Sequence, residues 1–214
     1  KGRTVAILSR GYKSADLKKP QRWTNPVSGE QVASPPKIVS DGRNVLLDAK
    51  YAGDEPFMLA KNLPGVAIVV DRNRVRAGRF AVKELGADTL LLDDGLQYLD
   101  LAHSLDVVLV DQDAPFGNEY ILPRGTLREP PRNLKRADYV FITKCDGEPK
   151  DALIKRIRRY NRNAEIMQCT HGPKYLHGVF HDDEQSLDFL KGKYIGAISG
   201  IARPESFDGL LKKL

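Results

Sequence analysis

Short apolar runs alternate with amphipathic stretches along most of this chain, and this alternation constrains its fold more than any other feature. Several runs are apolar at consecutive positions, as buried parallel strands are. Helical periodicity separates them at the spacing of strand–helix–strand units, which predicts an α/β fold with a mostly parallel sheet flanked by helices. The predicted strands are 4–8, 45–47, 66–70, 89–92, 106–110, 139–143 and 194–198, and the predicted helices are 56–62, 75–85, 149–161 and 204–211.

Composition limits the class of protein and its division into domains. Of the 214 residues, 41% are hydrophobic and 29% are charged, which excludes disordered and collagen-like chains. Residues 1–168 carry most of the alternating pattern and are expected to form the α/β core. The following stretch, up to residue 183, is irregular, so 169–214 is expected to begin a smaller C-terminal lobe. Cys145 and Cys169 lie outside any C-x-x-C pattern, so neither a disulfide framework nor a four-cysteine zinc site is expected.

Two adjacent carboxylates end one of the predicted strands. The apolar run Thr89-Leu-Leu-Leu leads into Asp93, Asp94 and Gly95. In open α/β sheets, ligands bind beyond the carboxyl ends of the strands, and Mg²⁺ prefers oxygen ligands. The pattern therefore indicates a magnesium site at Asp93 and Asp94, with helix capping or turn solvation as the alternative.

A second acidic pair lies further upstream, at the start of the first predicted helix. The segment Gly53-Asp54-Glu55-Pro56 precedes an apolar stretch, so Asp54 suits the N-cap, and Glu55 suits the first helical turn. The functional alternative is that Asp54 takes a proton from an attacking hydroxyl in phosphoryl transfer. The residues alone favour the cap.

Two further segments place cations near these acids. Arg10 and Tyr12 follow the first strand, where an arginine suits bidentate phosphate recognition, with a surface turn and an ordinary salt bridge as the alternative. Arg128 and Glu129 belong to the turn-rich segment LPRGTLREP and either line a site or pair with each other.

Basic residues are concentrated in the helix predicted around Arg156. Segment 150–162 contains six basic residues against one acid, and the whole chain carries a net charge of +6. Such a helix is typical of surfaces that contact anionic lipid or nucleic acid, although a solvated outer helix is more common. A second basic cluster consists of Arg72, Arg74, Arg76 and Arg79.

Six segments together resemble one family. SRGY, GDEP, LLDDGLQ, GN, LPRGTLREP and SGIARPESF occur in this order between Ile7 and Phe207, as in the tetraacyldisaccharide 4'-kinase (LpxK) family of lipid A synthesis. The resemblance implies a P-loop NTPase-like core with a smaller C-terminal lobe, and a location at the cytoplasmic face of the bacterial inner membrane. It also implies an ATP- and Mg²⁺-dependent transferase that phosphorylates the 4'-hydroxyl of a lipid disaccharide 1-phosphate.

The resemblance also assigns site residues, motif by motif. Asp54 matches the family's catalytic acid, which is proposed to act with a histidine as general base, and Glu55 is its neighbour in that motif. Asp93 and Asp94 match the pair that organises Mg²⁺. Nucleotide- or substrate-binding roles are implied for Arg10, Tyr12, Gln97, Arg128 and Glu129.

The chain also departs from the family pattern. It starts at Lys1, after the point where the family's phosphate loop lies, and stops at Leu214, before the partner histidine. We therefore expect a fragment that is inactive alone. Tyr98 stands where the family usually has histidine. The alternatives are an inactive relative and a non-catalytic nucleic-acid-binding module, but the acidic site would repel a phosphate backbone, so no nucleic-acid partner is expected.

Overall fold

A computed structural model describes residues 2–12, 14–17, 21–32, 35–170, 172–181, 183–201 and 204–214. The strands are β1 (Val5–Ser9), β2 (Trp23–Thr24), β3 (Gln31–Val32), β4 (Lys37–Asp41), β5 (Ala67–Val70), β6 (Thr89–Leu92), β7 (Val107–Asp111), β8 (Tyr139–Thr143), β9 (Glu165–Gln168), β10 (Leu176–His177) and β11 (Glu184–Gln185). The α-helices are α1 (Ala49–Ala52), α2 (Asp54–Asn62), α3 (Arg74–Leu85), α4 (Asp151–Tyr160) and α5 (Pro204–Leu211), and short 3-10 helices span Pro131–Arg136 and Leu187–Leu190.

The main strands form two sheets. The first has the order β4-β5-β1-β6, in which β5, β1 and β6 are parallel and β4 runs antiparallel to β5. The second has the order β7-β8-β9 and is parallel throughout. β2 pairs with β3 and β10 with β11 in two small antiparallel hairpins. The predicted α/β fold with mostly parallel strands is therefore confirmed.

Alternation along β1 explains why helices cover both faces of the first sheet. Ala6 and Leu8 point to one face and pack in a cluster with Ala77 and Phe80 of α3. Ile7 points to the opposite face, in a cluster that includes Ala60 of α2. Because both faces of these strands are buried, their sequences are continuously apolar rather than alternating.

The second sheet has a core of its own. Val140 and Ile142 of β8 are fully buried, and they share a cluster with Ile157 of α4. Asn161, directly after α4, is also buried, and its side-chain amide donates to the carbonyls of Leu134 and Ala137. These contacts hold the end of α4 against the 3-10 helix that precedes β8.

Most predicted elements are observed close to the expected positions. Five strands lie within one residue of their predicted ends, and all four predicted helices lie within two. The strand predicted at 45–47 is wrong, because Val45 makes only an isolated bridge to Ser40. The strand predicted at 194–198 is wrong as well, because this segment pairs with no strand in the described part of the chain and its apolar side chains are exposed. β4, β9, the short helix α1 and the two-residue strands β2, β3, β10 and β11 were not predicted.

The described residues of segment 169–214 form only short elements, and the three buried clusters found in the described part of the chain draw their members from residues 6–164. The domain boundary after residue 168 stays a prediction. Among the residues that the structure describes, no helix combines the length and the apolar character needed to cross a membrane.

Candidate active site

A cleft of about 890 Å³ opens beyond the carboxyl ends of β1 and β6, where parallel α/β sheets bind their ligands. The segments that line it come from the ends of both strands, the starts of α2 and α3, and one distant loop. Eight of the nine predicted site residues face it. The lining residues are Ser9, Arg10, Tyr12, Asp54, Glu55, Pro56, Arg72, Arg74, Asp93, Asp94, Gln97, Tyr98 and Arg128.

Asp93 is fixed by the strand next to its own. Its backbone N–H donates to the carbonyl of Leu8, which extends the parallel ladder by one step. The buried Ser9 hydroxyl donates to its carboxylate over 3.0 Å. This carboxylate is therefore held at the edge of the sheet while part of it remains open to the cleft.

Asp94 lies beside it in a different backbone conformation. Its φ of 52° lies in the left-handed region, which aspartate tolerates better than most residues. Arg128 donates to its carboxylate over 3.0 Å, and both side chains are more than half exposed. Arg128 therefore pairs with Asp94 and not with Glu129, which was the alternative left open by the sequence.

The start of α2 brings the second acidic pair to the cleft. Gly53, with a φ of 92°, occupies the N-cap, and no side chain among the described residues caps this helix. A Cβ at Gly53 would lie 3.3 Å from the carbonyl oxygen of Tyr12, so the close approach of these segments also favours glycine. The expectation that Asp54 caps the helix is wrong, because Asp54 is already the first helical residue. Its exposed side chain lines the cleft.

The acids of the cleft affect one another. The Asp93 carboxylate raises the pKa of Glu55 above its ordinary value, with smaller contributions from burial and from Asp94. A raised pKa of this origin means that negative charge is concentrated without full compensation. The cleft therefore favours a cationic ligand beside these three carboxylates.

Arg74 is the buried cation of the cleft. Only 5% of the residue is exposed, and its Nε has no hydrogen-bond partner within the described part of the chain. The Tyr98 hydroxyl accepts a hydrogen bond from the Arg74 backbone N–H over 3.1 Å, and the guanidinium lies 5.5 Å from the Tyr98 ring centre. Burial, and then the Arg10 cation, lowers the pKa of Arg74, but an arginine remains charged at neutral pH.

Glu129 is the one predicted site residue that does not line the cleft. It pairs with Arg136 over 2.7 Å and accepts a hydrogen bond from Asn133 over 2.6 Å. Arg136 also donates to the carbonyl of Leu96 over 2.9 Å. Glu129 thus supports the segment that leads into Gln97, one layer behind the cleft.

The donor set of the cleft suits a hard cation. Its side chains offer carboxylate oxygens, and no group of three or more His, Cys, Asp or Glu side chains arranged around one metal position occurs in the ranges described. Mg²⁺ is usually held by one or two carboxylates, with phosphate oxygens and water completing its octahedron. Asp93 and Asp94 fit that pattern. A zinc site at the histidines near Cys169 is not expected from the sequence, because Gly172, Pro173 and Gly178 interrupt any helix there. His177 lies in β10, whereas His171 lies outside the described residues.

Besides Pro56, four lining residues were not identified as site residues from the sequence. Ser9 belongs to the SRGY segment, but its role depends on a contact with Asp93, 84 positions away. Arg72 and Arg74 were noticed only as members of a basic cluster, with nothing to separate them from Arg76, which instead pairs with Asp71. Tyr98 was recognised only as a departure from the family pattern.

Known proteins resemble this chain over its whole length. The family model described as tetraacyldisaccharide-1-P 4'-kinase (LpxK) matches residues 1–214. A tetraacyldisaccharide 4'-kinase from Anaeromyxobacter dehalogenans is 39% identical over 100% of this chain and 53% of its own length. One from Halothermothrix orenii is 36% identical over 95% of this chain and 52% of its own length.

A solved structure agrees with these relatives. LpxK from Aquifex aeolicus, in a crystal structure described as an "apo" form in complex with ATP, is 28% identical and superposes with a TM-score of 0.71. The match covers 99% of this chain and 58% of that one. The chain spans about half the length of the curated relatives it matches. These matches show that the chain belongs to the tetraacyldisaccharide 4'-kinase (LpxK) family.

Proposed function

We propose that this chain forms the acidic half of the active site of a lipid kinase. The kinase transfers the γ-phosphoryl group of ATP to the 4'-hydroxyl of a tetraacyldisaccharide 1-phosphate, as a step of lipid A synthesis. The observation that carries this proposal is the convergence of Glu55, Asp93 and Asp94 on a cleft that also contains Arg10, Arg74 and Arg128.

This mixture of charges suits phosphoryl transfer. A transferring phosphoryl group spreads negative charge over its equatorial oxygens, and catalysis consists mainly of positioning and electrostatic stabilisation. Arg10, Arg74 and Arg128 supply fixed cations that can contact phosphate oxygens. Arg74 is best prepared for this role, because it is buried and its Nε is unpartnered within the described residues.

Asp93 and Asp94 would hold Mg²⁺. When bound with ATP, the ion neutralises charge on the β- and γ-phosphates. Ser9 keeps one Asp93 oxygen in place through its hydrogen bond. Arg128 would have to share Asp94 with the ion or move to a phosphate, and its exposure allows either.

Asp54 is our candidate for the group that accepts the proton of the sugar hydroxyl. It starts α2, its side chain is exposed and lines the cleft, and the helix leaves its carboxylate without a capping role. A positioned base contributes on the order of 10² to 10⁴ in rate. Gln97 and Tyr12 line the same cleft and are proposed to contact nucleotide or acceptor.

The acceptor is a lipid, so we further propose that the protein works at the cytoplasmic face of the bacterial inner membrane, where it contacts anionic lipid. The basic helix α4 offers fewer unpaired cations for this contact than its sequence indicates, because Arg156 pairs with Glu119, and Lys150 with Asp146. Its Lys155 and Arg159 remain exposed.

The test is phosphoryl transfer by the complete gene product with labelled ATP, Mg²⁺ and the lipid acceptor. Asp54→Ala and the double variant Asp93→Ala/Asp94→Ala are each expected to lower kcat/KM by a factor of order 10² or more. Glu165→Ala is the matched control, because Glu165 is an exposed carboxylate on β9 and does not line the cleft. Equal activity in all four proteins would refute the site assignment.

A further inference from the structure

A turn beside the cleft exposes three consecutive apolar side chains. Tyr120, Ile121 and Leu122 are 46%, 44% and 60% exposed, and Arg124 follows in the same turn. We call residues 120–124 the apolar turn. It contains the first part of the LPRGTLREP segment, whose latter part supplies Arg128 to the cleft.

Hydrogen bonds hold the apolar turn in shape. The backbone N–H of Leu122 donates to the carbonyl of Leu127 over 2.9 Å, and the N–H of Leu127 donates to the carbonyl of Tyr120 over 3.2 Å. Asn118 donates to the carbonyl of Arg124 over 3.2 Å. Because the backbone is already ordered, burying the three side chains in a partner would cost little further conformational entropy.

The charge on the apolar turn is positive. The Arg124 guanidinium lies 3.7 Å from the centre of the Tyr120 ring, and it has no carboxylate partner within the described ranges. The acid nearest in sequence, Glu119, is already paired with Arg156 over 2.6 Å. The exposed apolar group is therefore accompanied by an available cation and by no unpaired acid of its own segment.

Helix α4 and the segment that leads to Arg128 flank this turn. On one side, Glu119 and Phe116 both contact Arg156 of α4, the helix that also carries the exposed Lys155 and Arg159. On the other side, Leu127 pairs with the turn and is followed directly by Arg128, which contacts Asp94. The apolar turn thus lies between the basic helix and the cleft.

We propose that the apolar turn is an interfacial anchor that enters the surface of an anionic phospholipid bilayer. Tyrosine is enriched at membrane–water interfaces, aliphatic side chains gain by entering the acyl boundary, and arginine is attracted to anionic headgroups. The proposal rests on the proposed function in one respect, namely that contact at this point would bring a lipid acceptor to the cleft. It assigns membrane contact to a segment that charge alone did not single out.

The test is flotation of the purified 214-residue chain with vesicles, without ATP or acceptor. Vesicles of phosphatidylcholine mixed with phosphatidylglycerol are expected to bind it more tightly than vesicles of phosphatidylcholine alone. Ile121→Ser/Leu122→Ser is expected to lower partitioning into the mixed vesicles by roughly tenfold or more. Arg124→Gln is expected to lower it about fivefold on mixed vesicles only.

Leu105→Ser is the matched control, because Leu105 is 57% exposed, close to the 60% of Leu122, and lies outside the turn. Its partitioning is expected to equal that of the unchanged chain. A loss in Leu105→Ser as large as in the turn variants would overturn the proposal. So would unchanged partitioning of the turn variants alongside a loss in Lys155→Gln/Arg159→Gln, which would assign binding to α4 alone.

A second measurement does not depend on a loss of binding. Leu122→Trp keeps the position apolar and adds a fluorophore. Lipids brominated in their acyl chains are expected to quench the fluorescence of this variant more than that of the unchanged chain, whose one tryptophan is Trp23. No added quenching would refute insertion of the turn. Because neither experiment involves catalysis, an inactive kinase that binds vesicles through this turn would refute the proposed function and leave the anchor intact.

Discussion

Tyr98→Phe tests whether Tyr98 positions Arg74 in the cleft. The native hydroxyl accepts a hydrogen bond from the backbone N–H of Arg74 over 3.1 Å, and the ring lies 5.5 Å from the guanidinium. Phenylalanine keeps the ring and removes the acceptor. The variant therefore separates the hydrogen bond from the ring contact.

The expected cost follows from burial. Arg74 is 5% exposed, and its N–H belongs to the first turn of α3, where no earlier carbonyl of the helix can accept it. Leaving such a donor without a partner costs about 1–3 kcal/mol, and the adjoining cleft can admit water, so we expect about 1 kcal/mol. Tyr98→Ala also loses the ring contact, worth about 0.5–1 kcal/mol, and the packing of the ring, so its cost should exceed 2 kcal/mol.

Urea denaturation of each variant, followed by circular dichroism, measures the free energy of unfolding. Tyr139→Phe is the matched control, because Tyr139 is also half-buried and its hydroxyl makes no hydrogen bond within the described part of the chain. If Tyr98→Phe were as stable as the unchanged chain, or Tyr139→Phe lost as much, the positioning argument would be refuted. In the complete gene product, Tyr98→Phe should raise the KM for ATP more than it lowers kcat, whereas a purely structural role would leave both unchanged in the folded fraction.

Two further predictions concern other parts of the fold. Asn161→Ala removes the partners of four backbone groups, namely the carbonyls of Leu134 and Ala137 and the N–H groups of Asn163 and Ala164, and should lower the free energy of unfolding by about 3–5 kcal/mol. Asn163→Ala, at an exposed neighbour, should change it by less than about 0.5 kcal/mol in the same denaturation experiment. Asp93→Asn should lower the pKa of the Glu55 carboxyl towards its ordinary 4.5, measured by carbon-detected NMR titration. Because the pKa of Glu55 is raised in the folded state, protonated Glu55 contributes fully to the free energy of unfolding at pH values below 4.5. This contribution is lost as the pH rises through the pKa of the folded state, and Asp93→Asn should reduce the loss. An unchanged Glu55 titration in Asp93→Asn would contradict the electrostatic account of the cleft.

The elements that sequence predicted well are those with a local cause. β6 is a run of apolar residues that ends in two acids, and its bounds and its position at the cleft both follow from that pattern. α3 is amphipathic, and Gly86 in the left-handed conformation ends it. In both cases the signal lies within the segment itself.

The failures have a non-local cause. β4 has polar residues at both ends and a bulge between Ile38 and Ser40, and it becomes a strand because β5 pairs with it. The segment 194–198 is apolar enough for a strand but has no partner strand in the described part of the chain. Pairing, which decides both cases, cannot be read from one segment.

The residues of the candidate site show the same difference between local and non-local signals. The acids of the cleft were found because each follows a strand or starts a helix. The hydrogen bond from Ser9 to Asp93 and the contact of Arg74 with Tyr98 join residues 84 and 24 positions apart, so only the fold reveals them. Glu129 lies next to Arg128 in sequence, yet it pairs with Arg136, whereas Arg128 pairs with Asp94 in the cleft.

The most direct test of the central claim is the position of the phosphate in the product. The complete gene product would be incubated with ATP, Mg²⁺ and a tetraacyldisaccharide 1-phosphate, and the purified lipid analysed by phosphorus–proton correlation NMR. We expect a second phosphomonoester coupled to the proton at carbon 4', formed by the unchanged protein and lost in Asp93→Ala/Asp94→Ala. Hydrolysis of ATP that leaves the lipid unmodified, or a phosphate on another hydroxyl, would contradict the proposed function.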